Sequence, residues 1–229
     1  MTTISANLQA VLARIGEAAR RCGRQPEEIS LLAVSKTWPG SYVQEAARAG
    51  QKAFGENYVQ EGVDKVRETA LPDLEWHFIG PLQSNKTRLV AEAFQWVHSV
   101  DRLKIAERLS QQRPAHLPPL QICLQVNISN EDSKSGVPEE DVASLAQQIA
   151  YLPRLKLRGL MTIPAPAPEF AQQRAPFRRL RELYEQLNRN GFELDTLSMG
   201  MSNDIEAAIA EGSTLVRVGT AIFGERKGS

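Results

Sequence analysis

Two cysteines among 229 residues are too few for a disulfide framework, and they fall in unlike places. Cys22 ends a helix-like stretch and Cys123 sits inside a strand-like one, so both are read as free thiols suited to a reducing cytoplasm. Charge of one sign is lacking as well, since 27 Lys and Arg balance 27 Asp and Glu. That balance argues against a general nucleic-acid binder or a polybasic membrane protein. With three histidines, two cysteines and no ligand spacing, no metal is expected. Long apolar runs are absent too. The N-terminal "MTTISANLQAVLARIGEAARRCG" carries arginines along its length, and is expected to be neither a secretory signal nor a membrane span. Its Ile4, Leu8, Val11, Leu12, Ile15 and Ala19 instead share one face of a helix that Gly23 closes.

What the chain does contain is alternation. Strands are predicted over 29–35, 52–56, 75–80, 96–100, 120–128, 156–163, 195–200 and 214–219. Helices are predicted between them, over 40–50, 58–69, 85–94, 102–112, 138–151, 170–190 and 204–211. Eight strands separated by helices favour a single-domain (β/α)8 TIM barrel over an open sheet. No shift in composition marks a boundary, so residues 1–229 are expected to form one domain. No helix is predicted after the eighth strand, where the chain runs into "GERKGS", and the N-terminal helix is expected to cover that face. "PAPAP" at 164–168 is a stiff loop after the sixth strand.

The first strand poses the chemical question. "EISLLAVSKTWP" runs through apolar positions and then places Lys36 at the strand end. A lysine there either carries its charge out to solvent or keeps an amine, its pKa lowered by partial burial, ready to attack a carbonyl. In a parallel barrel all such strand ends open on one face. That rim gathers Lys36, Glu56 and Asn57, Met161 and Thr162, then "SMGMSND" and "VRVGTAIFG". Ser198, Gly200 and Ser202 precede "NDIEAAIAEG", where Asn203 and Glu206 have capping-box spacing, and Gly219-Thr220 follow the eighth strand. These elements serve either as caps or as backbone N–H donors to a phosphate. Arg217, between two valines, needs an internal carboxylate or a ligand, such as a ring nitrogen or a phosphate. His77 and His98 fit simple hydrogen bonding inside the core. A cofactor with both an aldehyde and a phosphate would use the lysine, the cup and the arginine together, and pyridoxal 5'-phosphate has that form.

The segments "LLAVSKTWP", "FGENYVQE", "EWHFIGPLQSNK", "DSKSG", "LRGLMTI" and "LSMGMSNDIEAAIAEGSTLVRVGTAIFG" closely resemble the pyridoxal phosphate homeostasis proteins, the YggS/PROSC family. The resemblance runs to about Gly224 and implies a single-domain version of the alanine-racemase barrel. It implies that Lys36 is the Schiff-base lysine, that Arg217 faces the pyridine nitrogen, and that Ser202, Gly219 and Thr220 belong to the phosphate cup. Asn57, His77, Met161 and Ser198 would line the pocket. Lys134 in "DSKSG" matches a family lysine near the pocket, to be read as a transient second amine or a solvated loop residue. Trp38 departs from relatives that carry another lysine there.

The resemblance further implies binding and supply of pyridoxal phosphate rather than turnover. The expected partners are the cofactor and apo enzymes that use it, with no nucleic acid and no membrane, and a monomeric chain. A racemase of this barrel type adds a second β-domain and a tyrosine base. This chain stops just after the eighth strand, and Tyr42, Tyr58, Tyr151 and Tyr184 all fall in predicted helices. A small racemase-like enzyme is the rival expectation, and a phosphate-sugar barrel enzyme using Lys36 is a third.

Overall fold

The computed structural model describes residues 3–129 and 135–225. Thr3 opens α1 (Ile4–Arg21) by accepting the Ala6 N–H on its Oγ1 at 3.1 Å. Gly23, at φ 70°, ends the helix in a left-handed turn. There the Arg24 N–H donates to Ala19 O and the Gly23 N–H to Arg20 O, the paired bonds of a Schellman motif. The stripe Ile4, Leu8, Val11 and Ile15 is buried, whereas Leu12 lies at its edge and is exposed.

Strands and helices then alternate: β1 (Ser30–Val34), α2 (Gly40–Arg48), β2 (Ala53–Glu56), α3 (Val59–Thr69), β3 (Glu75–Phe78), α4 (Thr87–Ala93), β4 (Trp96–Val100) and α5 (Leu103–Gln112). They continue with β5 (Leu120–Gln125), α6 (Glu139–Ala150), β6 (Leu155–Met161), α7 (Phe170–Arg189), β7 (Thr196–Ser198), α8 (Ile205–Ala210), β8 (Leu215–Val218) and the one-turn α9 (Thr220–Phe223). The strands close in sequence order into a parallel barrel, β8 pairing back onto β1 with Leu32 beside Arg217.

Each strand has two buried faces, as a parallel sheet under helices requires. In β1, Leu31 and Ala33 pack outward under the helices, while Leu32 and Val34 meet Ile79 and Leu215 inside the barrel. Trp96, Cys123 and Met161 form a second inner cluster, and burial pushes the Cys123 thiol up to about 12. Cys22 is exposed, so both thiols are free.

The expected substitution of α1 for a full eighth helix holds. Arg14 donates to Glu206 on α8 through Nε and Nη2, each at 2.6 Å, and to Ser202 O at 2.7 Å. Asn7 donates to Ile222 O on α9 at 2.9 Å. Glu206 is therefore engaged by Arg14, and α8 begins after Asp204 with no side-chain cap bond; the capping box expected of Asn203 and Glu206 does not form.

Glu211, at the end of α8, is fully buried beneath three arginines of α7, with Arg174 Nε at 2.6 Å, Arg178 Nη2 at 3.1 Å and Arg181 Nη1 at 3.2 Å. Burial alone would raise its pKa, but hydrogen bonds from Arg178 and Arg174 and the arginine charge outweigh it and hold the carboxyl below its ordinary 4.5. A depressed carboxylate pKa stabilises the fold above the unfolded value and is lost as pH falls through the folded one. Glu211→Gln should therefore lower stability by about 1–2 kcal/mol at pH 7, the arginines being partly exposed. The gap to the parent should shrink below pH 4.5, as urea melts across pH will read.

Candidate functional site

The chain leaves β1 through a tight turn in which the Trp38 N–H donates to Ser35 O at 3.1 Å. Lys36 is the first central residue of that turn, and Thr37 follows with φ 67°, a left-handed conformation unfavourable for a β-branched side chain. Such strain persists where the surroundings over-determine it. Here the Thr37 N–H donates to Glu61, and Lys65 reaches under the turn from α3. Its ammonium uses all three protons: to Ser35 O at 2.6 Å, Glu56 Oε1 at 2.8 Å and Glu61 Oε1 at 2.6 Å. Ser35 Oγ also donates to Glu56 Oε1 at 2.6 Å. A buried ionic clamp thus aims the half-buried Lys36 from below.

Lys36 faces a cavity of about 580 Å³ at the carboxyl ends of the strands, where barrel sites form. Asn57, Ser202, Arg217, Gly219 and Thr220 line the same cavity. Asn57 Oδ1 is buried with no hydrogen-bond partner, an acceptor left for a ligand. A Cβ at Gly219 would lie 3.0 Å from Val34 O, so the glycine lets β8 approach β1 closely at the rim. The Thr220 and Ala221 N–H groups precede the first intrahelical donor of α9, the Ile222 N–H, which bonds Gly219 O. Arg14 fixes the facing loop through Ser202 O.

Arg217 forms the cavity floor. Its Nη1 donates to Ser198 O at 2.6 Å and Ser198 Oγ at 2.7 Å, and its Nη2 to Thr162 O at 2.8 Å. Among the described residues no carboxylate forms an ion pair with it. Burial lowers its pKa to about 10, leaving it charged at neutral pH.

Three of the expected pocket residues do not reach the cavity wall. His77, Met161 and Ser198 point into the barrel below it, because their side chains lie on the inner face of β3, β6 and β7 and are fully packed there. Ser198 touches the site only through Arg217. His77 hydrogen-bonds His98 and Glu75. Lys134 lies outside the described residues.

The rest of the wall was not assigned to the pocket by sequence reasoning, although "SMGMSND" and "VRVGTAIFG" were placed on the rim. It comprises Val34, Trp38, Ile79, the run Ile163–Pro168, Gln173, Met201, Asn203, Asp204 and Gly224. The proline spacing was the available signal, since a stiff loop directly after a barrel strand sits at the rim. Trp38 lines the cavity and also stacks on Tyr42, with ring centroids 5.0 Å apart. Asp204 Oδ1 accepts the Met201 N–H, and burial first, against the pull of that bond and of Arg217, raises its pKa.

Residues 6–227 match the alanine racemase N-terminal domain family. The pyridoxal phosphate homeostasis protein of Pseudomonas aeruginosa is 62% identical over 226 residues, covering 99% of this chain and 97% of that protein. Its namesake in Escherichia coli K12 is 58% identical over 229 residues, covering 99% and 98%. PipY of Synechococcus elongatus, solved with pyridoxal phosphate (PLP) bound, superposes with a TM-score of 0.81 at 40% identity, covering 92% of this chain and 100% of PipY. The chain belongs to the alanine racemase N-terminal domain family and, within it, to the pyridoxal phosphate homeostasis proteins.

Proposed function

We propose that this protein binds pyridoxal phosphate and holds it in reserve for other proteins, without turning over an amino-acid substrate. The observation that carries the proposal is the meeting of Lys36, Arg217 and the Gly219–Thr220 rim in one cavity. Pyridoxal phosphate supplies an aldehyde that condenses with a primary amine, on a pyridine ring that serves as an electron sink when its nitrogen is protonated. On this reading Lys36 meets the aldehyde, and Ser202, Gly219 and Thr220 meet the phosphate. Arg217 faces the ring nitrogen, and Asn57 Oδ1 offers the remaining acceptor. A guanidinium has only protons to offer, so at a ring nitrogen it donates and opposes a second positive charge. It thereby keeps the ring a poor electron sink.

The wall supports storage over turnover. Among the described residues it holds no tyrosine, histidine or cysteine, and its ionisable side chains are Lys36, Asp204 and Arg217. Apo enzymes that use the cofactor are the natural recipients, and the chain acts as a monomer in the cytoplasm on this reading. Among the described residues no helix is long and apolar enough to cross a membrane.

Titrating the purified protein with pyridoxal phosphate should give a visible absorption band that saturates at one equivalent. The loaded protein should racemise alanine far more slowly than about 1 s⁻¹, an ordinary enzyme turnover. No saturable band would end the binding proposal, and racemisation at that rate would make the protein an enzyme.

A further inference from the structure

A line of polar side chains crosses the barrel from its far end to the cavity floor. Glu75 opens it at the start of β3, half in solvent, with Oε1 at 2.8 Å from His77 Nε2. His77 Nδ1 lies 2.9 Å from His98 Nε2, and His98 Nδ1 lies 2.8 Å from Ser198 Oγ. Ser198 Oγ accepts from Arg217 at 2.7 Å. His77, His98, Ser198 and Arg217 are all buried, so water does not supply alternative partners.

The two ends admit one arrangement of protons. An ionised carboxylate only accepts, so His77 Nε2 carries a hydrogen. Burial disfavours the imidazolium of both histidines. His77 Nδ1 is then bare and accepts from His98 Nε2–H. His98 Nδ1 is bare in turn and accepts the Ser198 hydroxyl proton, which leaves the Ser198 lone pairs to Arg217. Reversing any one link sets two lone pairs face to face, ultimately at Glu75.

We propose that Glu75, His77, His98 and Ser198 are positioning residues for Arg217, a one-way hydrogen-bond column through which the carboxylate at the far end of the barrel strengthens the hold on the cavity-floor guanidinium. Each link draws a proton toward Glu75, and such chains polarise cooperatively, so Ser198 Oγ becomes a stronger acceptor than an isolated hydroxyl. His77 is held in line by stacking on Trp96, with centroids 5.2 Å apart and planes 10° apart. The charged neighbours at the open end are Arg158, which lies over the Trp96 ring and bonds Asp195, and Lys156 beyond. The role in cofactor binding rests on the placement of Arg217 against the ring proposed above.

Histidine ¹⁵N spectra of the cofactor-free protein at pH 7 test the column directly. His77 and His98 should both show the neutral Nε2–H tautomer. An Nδ1–H tautomer or an imidazolium at either would overturn the proposal. In Glu75→Leu the tautomer pattern of His77 and the Arg217 guanidinium resonances should both shift. Pyridoxal phosphate should bind that variant roughly threefold to tenfold more weakly, the worth of one hydrogen bond. Glu75→Gln, whose amide oxygen still accepts, should restore the parent values. Unmoved Arg217 resonances in Glu75→Leu beside altered histidines would also overturn it. If the parent binds no pyridoxal phosphate, the cofactor reading falls, while the tautomers and the Arg217 resonances still decide the column.

Discussion

Lys36→Ala is expected to abolish the adduct that borohydride fixes between pyridoxal phosphate and the chain, while leaving the barrel folded. The reason lies in the turn. Lys36 is half-buried, and the contacts that hold the strained backbone belong to its neighbours: Ser35 O, bound by Lys65 and by the Trp38 N–H, and the Thr37 N–H, bound by Glu61. Truncating Lys36 leaves these intact, so the change in unfolding free energy should stay within about 1 kcal/mol. It removes the one lysine among the described residues of the cavity wall. Peptide mapping after reduction should find the adduct on Lys36 in the parent and none in the variant. A stoichiometric adduct on another lysine of the parent would sink the assignment.

Lys65→Met should do the opposite. Lys65 is 4% exposed and Glu56 is fully buried, their charges 2.8 Å apart. Removing one partner of a buried pair strands the other, at about 3–5 kcal/mol. Glu56 Oε2 already has no hydrogen-bond partner, so nothing else stands ready to replace the ammonium. Burial, the largest influence on Glu56, raises its pKa above the ordinary 4.5 even with Lys65 present. A raised carboxylate pKa means that the folded state favours the proton, so the penalty is full above the folded pKa and fades as pH falls toward the unfolded one. Lys65→Met should accordingly lose most stability at pH 8 and least near pH 5, by urea denaturation. The strained Thr37 turn loses its support at the same time, so cofactor binding should weaken even at pH 5. A variant as stable as the parent at pH 8 would show that the clamp contributes nothing.

These two lysines mark the limit of what the chain reveals before folding. Lys36 was legible because an apolar run stopped at it, and a parallel barrel places every such stop on one rim. Lys65 sits among Asp64, Arg67 and Glu68 in what reads as a solvated helix face, and only the return of α3 onto β2 buries it. The eight strands were legible within a few residues because each holds a short, largely buried run set between helical stretches, even where a polar side chain faces the barrel interior. β5 and β6 were overdrawn, to 128 and 163, because Val126, Ile128 and Ile163 continue the apolar run after the ladder has ended. That Ser202, Gly219 and Thr220 line the cavity could be read from the serines and glycines after β7 and β8, whereas the fate of the capping box could not. Asn203 and Glu206 have the right spacing, but Arg14, 192 residues away from Glu206, takes the carboxylate. The histidine column was illegible for the same reason: its members sit on three strands, and only barrel closure aligns them.

The packing of α1 against α8 and α9 also sets a timetable. The partners that Arg14 and Asn7 bind lie 192 and 215 residues downstream, and α1 packs mainly against those same late elements, with α2 covering a smaller part. At a synthesis rate of about 5–20 residues per second, the stripe waits on the order of 10–40 s before its cover emerges. Strand β1 waits as long for β8, so the barrel cannot close until almost the whole chain has left the ribosome. A nascent helix with four buried-in-waiting aliphatic residues is a natural client for holding chaperones during that interval. A permuted chain in which α1 follows α9 would bury the stripe as soon as it was made, and should aggregate less during synthesis at the same final stability.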